Sequence, residues 1–212
     1  MPGCTNCPSD NVSDTNAIDP IFRRILWIAL ISNGLMFVVE IVASYFGDSI
    51  SLQADALDFL GDAANYAISL FLLGMALHLR ARASMVKGIT MAVFGLWVIG
   101  NAVNRALVGS APEPSVMGGI AVVALAVNFI VAFLLYRYRE GDSNMRSIWL
   151  CSRNDAIGNI AVMIAAAGVF ATSSRWPDLL VAAIIASLSL SAAFHVIRLA
   201  LSEMRADKAN LV

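Results

Sequence analysis

Six apolar stretches, at about 22–46, 50–77, 84–108, 116–138, 147–172 and 178–201, take up most of the 212 residues. A helix needs about 20 mostly apolar residues to cross the hydrocarbon of a bilayer. In that medium each backbone must satisfy its own hydrogen bonds, so stretches of this length read as helices. Short polar breaks separate them: GDS (47–49), HLRAR (78–82), GSAPEPS (109–115), YRYREGDSNMR (136–146) and SSRWP (173–177). The chain is 59% hydrophobic and 14% charged, against about 45–50% and about 25% for soluble domains. The expected fold is all-α: a polytopic integral membrane protein built as a six-transmembrane-helix bundle in the lipid bilayer. Residues 21–202 form the transmembrane domain. Residues 1–20 are expected to be a disordered cytosolic tail, and 203–212 a short cytosolic C-terminal tail.

Of the 14 Lys and Arg, Arg23, Arg24, Arg80, Arg82, Lys87, Arg137, Arg139, Arg146, Arg198, Arg205 and Lys208 fall at the end of the bundle that holds both termini. Only Arg105 and Arg175 fall at the other end, and Arg153 lies within the fifth stretch. Positive residues concentrate on the cytoplasmic side, so both termini are expected in the cytoplasm, with the protein in the inner or plasma membrane. A net charge of −1 offers no basic face for nucleic acid. The N-terminus lacks the basic and apolar regions of a secretory signal. Three cysteines, Cys4, Cys7 and Cys151, make no even disulfide framework.

Against this apolar background the acids stand out. The second stretch carries Asp55, Asp58 and Asp62, and the fifth carries Cys151 and Asp155. Ionisable groups at membrane depth mark ion or substrate paths. Asp58 and Asp62 are four apart and share a helix face, and Cys151 and Asp155 repeat the spacing. The second helix runs inward and the fifth outward, so the two pairs can meet near the midplane. Three carboxylates and a thiol suit a tetrahedral divalent transition metal such as Zn2+. The thiol favours softer ions such as Cd2+ over Mg2+ or Ca2+. Such ligands bind metal only when deprotonated, so metal and protons compete, which is the chemistry of a metal/proton antiporter. The competing structural role for a single Asp is hydrogen bonding between helices.

These residues resemble the cation diffusion facilitators. The resemblance starts at NGLMFVVEIVASYFGDSISLQADALDFLGDA (33–63) and continues at MRSIWLCSRNDAIGN (145–159) and WPDLL (176–180). It covers nearly all of 20–202. It implies a six-helix transporter, not an enzyme, that exports Zn2+ or Cd2+, with Co2+ a further candidate, from the cytoplasm in exchange for protons by alternating access. It also implies metal held between helices 2 and 5 at Asp58, Asp62, Cys151 and Asp155. Cys151 stands where the family has His or Asp, which shifts the expected preference toward Zn2+ or Cd2+ over Mn2+. The family's cytosolic C-terminal domain has no counterpart after residue 202, so a transmembrane-only member is expected. A homodimer would then form through the transmembrane helices.

Other residues carry subsidiary expectations. Asp55 and Glu40 are candidates for an accessory metal or proton path, and Glu40 alternatively for an ion pair with Arg153. Arg153 points away from Cys151 and Asp155 and can snorkel to the interface. Cys4 and Cys7 form a Cys-x2-Cys pair that can capture a soft metal or be incidental. His78 and His195 lie near cytoplasmic helix ends, and Asn33, Asn101, Asn104 and Asn128 read as interhelical hydrogen-bond donors. Two other functions compete. An intramembrane aspartyl protease would also use acids on two helices, but Phe59, Leu60, Gly61, Asp62 lacks the first Gly of its motif. A non-transporting metal sensor or accessory subunit is the third reading.

Overall fold

The computed structural model describes residues 20–71, 77–109, 111–138 and 143–209. Each apolar stretch is a helix: α1 (Pro20–Gly47), α2 (Ile50–Phe71), α3 (Leu77–Val108), α4 (Pro114–Leu135), α5 (Ser143–Thr172) and α6 (Trp176–Ala209). A single 3-10 turn, Tyr136–Tyr138, extends α4. Two boundaries differ from expectation. The HLRAR break is part of α3, and α6 runs on past residue 203. Neither segment contains Gly or Pro, and Arg, Leu, Ala, Glu and Lys all favour helix.

The bundle's outer surface is strongly apolar, and its interior combines apolar clusters with buried polar groups. Leu35 and Phe46 of α1 are 62% and 80% exposed, whereas Glu40 between them is 0% exposed. In water such a surface would drive association, so its natural solvent is lipid. Among the described residues, five helices are long and apolar enough to cross a membrane. The exception is α2, whose three aspartates fall within 22 residues. Its neighbours resolve the difficulty. It packs against α1, α3, α5 and α6, and 15 of its 22 residues are buried. The acids therefore face protein, the arrangement that makes intramembrane charge tolerable.

The helices fall into two groups. Among the most extensive contacts, α1 packs on α2 and α4 on α5, with α1 also against α4. The other group is the α3–α6 pair. Gly88 and Gly95 lie seven apart on one face of α3. A Cβ at Gly88 would fall 2.7 Å from Ile197 Cγ1, and one at Gly95 3.0 Å from Leu190 Cδ2. Small residues of this kind let helix backbones approach closely in lipid. Apolar clusters pack both ends. Phe22, Leu26, Val131 and Leu135 lie toward the termini, and Ile50, Leu52, Met117 and Val169 toward the opposite end.

The start of α2 is closed by a side chain from the last helix. Asp178 Oδ2 accepts from the Ile50 amide at 2.9 Å. Its Oδ1 accepts from the Ser51 amide at 3.0 Å and from Ser49 Oγ at 2.7 Å. Ser49 Oγ in turn accepts from the Leu52 amide at 3.2 Å. Helix N-termini leave amides without intrahelical partners, and a carboxylate there also meets the positive end of the helix dipole. Asp178 is 1% exposed, so water does not replace it. Asp178→Ala should destabilise the protein by about 2–4 kcal/mol, from lost capping and stranded buried amides. Thermal melting in detergent checks this, and Asp178→Asn should retain part of the stability.

Candidate metal site

On α2, Asp55, Asp58 and Asp62 follow one another at intervals of three and four residues, which stacks them along one side of the helix. Each finds different company. Asp58 Oδ1 accepts from Ser189 Oγ of α6 at 2.7 Å. Asp62 accepts from the Tyr66 hydroxyl at 3.2 Å, and its carboxyl lies directly against that of Asp155 on α5. Tyr66, 1% exposed, also hydrogen-bonds Ser152 Oγ of α5 at 2.7 Å. One hydroxyl thus ties the two acid-bearing helices together. Lys87 of α3 donates to Asn65 Oδ1, and its positive charge acts on Asp62.

Asp62 and Asp155 meet, and Asp58 lies one turn along α2, close enough for its charge to act on Asp155. Cys151 lies on α5 one turn before Asp155, but its side chain is outside the described residues. Among the described residues, no group of three or more His, Cys, Asp or Glu side chains converges tightly enough to hold a metal ion. Among the described residues, the buried side-chain polar atoms left without a hydrogen-bond partner belong to Asn33, Glu40, Asp55, Asn128, Asp155 and Asn159. They come from α1, α2, α4 and α5, and oxygens predominate. Burying an unpaired polar group costs about 1–3 kcal/mol. An interior with this spare accepting capacity is suited to a cation.

Some expectations change. Glu40 does not pair with Arg153. It lies against Asp55, and neither of its oxygens has a hydrogen-bond partner. Arg153 is exposed, with its guanidinium 5.3 Å from the centre of the Trp149 ring. The reason is rotational: Glu40 faces the bundle core, whereas Arg153 lies on the outward side of α5. Asp55 is not a hydrated interfacial acid but is 3% exposed. Asn101 does bridge helices, donating to Gln53 Oε1 at 2.9 Å. Asn33 instead donates to the Ala29 carbonyl of its own helix at 2.8 Å. His195 is exposed and bonded to the Ser191 carbonyl oxygen at 2.8 Å. Cys4, Cys7 and the His78 side chain lie outside the described residues.

Sequence reasoning passed over Tyr66, Ser152, Ser189 and Lys87. The first two carried a signal. Tyr66 is four residues after Asp62 and Ser152 three before Asp155, so each shares a face with its acid. Lys87 was counted only as an interfacial cation, and nothing local distinguishes Ser189.

Comparison with known proteins gives the arrangement a context. The family model of the cation efflux transmembrane domain matches residues 26–204. The chain is similar to a cadmium, cobalt and zinc/H(+)-K(+) antiporter of Bacillus velezensis, 23% identical over 190 residues, covering 82% of this chain and 60% of that protein. It is also similar to the zinc transporter ZitB of Escherichia coli, 25% identical over 195 residues, covering 86% of this chain and 62% of that protein. The chain thus spans about three-fifths of the length of these curated relatives.

The Tyr66 bridge makes one prediction independent of the metal's identity. Groups that orient metal ligands typically contribute 10–100-fold to affinity. Tyr66→Phe should weaken Zn2+ binding about tenfold, measured by calorimetry on detergent-solubilised protein. Ser152→Ala should weaken it less, because the Tyr66 hydroxyl keeps Asp62.

Proposed function

Because the chain belongs to the cation efflux family, the cation diffusion facilitators, we propose that it exports divalent transition-metal cations from the cytoplasm in exchange for protons by alternating access. Zn2+ and Cd2+ are the leading cargoes and Co2+ a further one. The carrying observation is the meeting of Asp62 and Asp155 across α2 and α5 in the bundle interior. Support also comes from the named cargoes of the relatives, zinc for one and cadmium, cobalt and zinc for the other. Both termini face the cytoplasm in this reading, and a homodimer through the transmembrane helices is its assembly.

The ligands are Asp58, Asp62, Cys151 and Asp155. Drawing these four together around the ion is the step that loads the carrier. Carboxylates and thiolate bind a metal only after losing their protons, so loading expels protons and acidification expels metal. Coupling needs no further device: the same side chains hold cargo in one direction and protons in the other. Ser189 and Tyr66 donate to Asp58 and Asp62, which fixes the orientation of each carboxylate. Glu40 and Asp55, buried against each other, are the accessory path for metal or protons between this site and the end opposite the termini.

Three measurements test this. Asp155→Ala should abolish metal-dependent proton flux in proteoliposomes, and flux at the wild-type rate would refute the site. Apparent Zn2+ affinity should fall as pH falls. Each proton displaced contributes about tenfold per pH unit, so the slope counts the protons exchanged. Cys151→His should shift the competition series away from Cd2+ and toward harder ions, because imidazole is less soft than thiolate. An unchanged series would remove the thiolate from the ligand set. An intramembrane protease would instead retain activity without metal.

A further inference from the structure

A cavity of about 320 Å³ lies at the end of the bundle away from the termini, between α1, α2 and α3. Its polar lining comprises Ser44, Asp48, Gln53, Asn101, Asn104 and Arg105. At its rim the Arg105 guanidinium meets the Asp48 carboxylate through both terminal nitrogens, Nη1 to Oδ2 and Nη2 to Oδ1. Farther in, Asn101 of α3 donates to Gln53 of α2, which is 5% exposed. Ser44 lies four residues after Glu40, the acid that abuts Asp55, on one face of α1. The cavity thus approaches within one helical turn of the buried Glu40–Asp55 pair along α1.

We propose that this cavity is the vestibule through which a hydrated divalent cation leaves the bundle, and that Arg105 is a tethered competitor for Asp48 that closes it. The proposal rests on the metal-export reading above. The volume suffices: six waters around an ion occupy about 180 Å³ at about 30 Å³ each. The lining supplies hard oxygen acceptors, which suit a hydrated ion in transit better than a tight thiolate-bearing site.

The ion pair has the properties of a latch. A bidentate guanidinium–carboxylate contact is directional and well defined. Its side chains are nevertheless 24% and 38% exposed, and pairs open to solvent are weak enough to exchange. A divalent ion carries twice the charge of the guanidinium and can displace it from Asp48. The displaced Arg105 has somewhere to go, because it sits in the last turn of α3, where cations are favoured by the carbonyl end of the helix.

The two sides of the latch differ in freedom. Asp48 is held in a left-handed turn with φ of 54°, a conformation that Asp and Asn tolerate better than most residues. Before it, the Gly47 carbonyl oxygen accepts from the Glu113 amide at 2.8 Å. A Cβ on Gly47 would also fall 2.8 Å from Val116 Cγ1. Asp48 is thus the fixed post. Arg105 is the flexible arm, lying over Gly109, where a Cβ would collide with its side chain.

The test is the thiol-labelling rate of Gln53→Cys, read above the labelling of the wild type, with purified protein in lipid nanodiscs that leave both faces accessible. A water-soluble cationic methanethiosulfonate is the probe. Adding Arg105→Gln or Asp48→Asn should each speed labelling about two- to fivefold, the range for release of a partly exposed ion pair. Adding Arg105→Lys should fall between these and the latched protein. Asp48→Asn keeps the left-handed turn, so a faster rate there reports lost charge and not a broken loop. Unchanged rates in both charge-removing variants would overturn the latch. Metal flux of wild-type protein in proteoliposomes, run in parallel, isolates the export reading: absent flux with faster labelling sinks that reading while leaving a gated cavity.

Discussion

A backbone amide buried away from water must find an acceptor, and the architecture turns on how α2 meets that demand. Its first turn is supplied by Asp178, a carboxylate from the start of α6 that takes both the Ile50 and Ser51 amides and the Ser49 hydroxyl. The contact sets the depth of α2 and limits its rotation. With the top of the helix held, the faces carrying Asp55, Asp58 and Asp62 are directed at α1, α5 and α6 and away from lipid. A helix too acidic to cross a membrane by itself becomes the axis of the bundle.

The polar links between α2 and the α3–α6 pair form a consistent set. Asp178 and the Asn101–Gln53 bond lie toward one end, Ser189–Asp58 near the middle, and Lys87–Asn65 toward the other. Within the α3–α6 pair, Gly88 and Gly95 hold the helices too close for even a methyl group without displacement of a neighbour. Apolar clusters cross the seam between the groups as well, joining Leu57 of α2 to Met91 and Ala193, and the hydrogen bonds add to that packing. Individual hydrogen bonds contribute only about 0.5–1.5 kcal/mol net.

Helix count, approximate limits and the acid-bearing faces were legible in the sequence, because each depends on relations within one segment. Span length follows from bilayer thickness, and the four-residue spacing of Asp58 and Asp62 follows from the helical repeat. Partners between helices were mostly not legible. Asp178 and Ile50 are 128 residues apart, and Asp58 and Ser189 131. No local period encodes how far one helix is rotated against another. The ion-pair alternative for Glu40 failed for that reason: charge complementarity suggested Arg153, but rotation places Glu40 against Asp55. The extra turns of α3 and α6 were missed because charge was read as a break, although Arg, Glu and Lys continue a helix readily.

The reach of Asp178 also bears on biosynthesis. A chain is made from its N-terminus, so α2 is synthesised long before the helix that caps it. Until α6 arrives, the first amides of α2 lack their acceptor and Asp58 lacks Ser189. The acidic helix has its full set of hydrogen-bond partners only once the last one joins. The first and last thirds of the polypeptide are thereby bound into a single folding event, with the membrane insertion of one completed by the other.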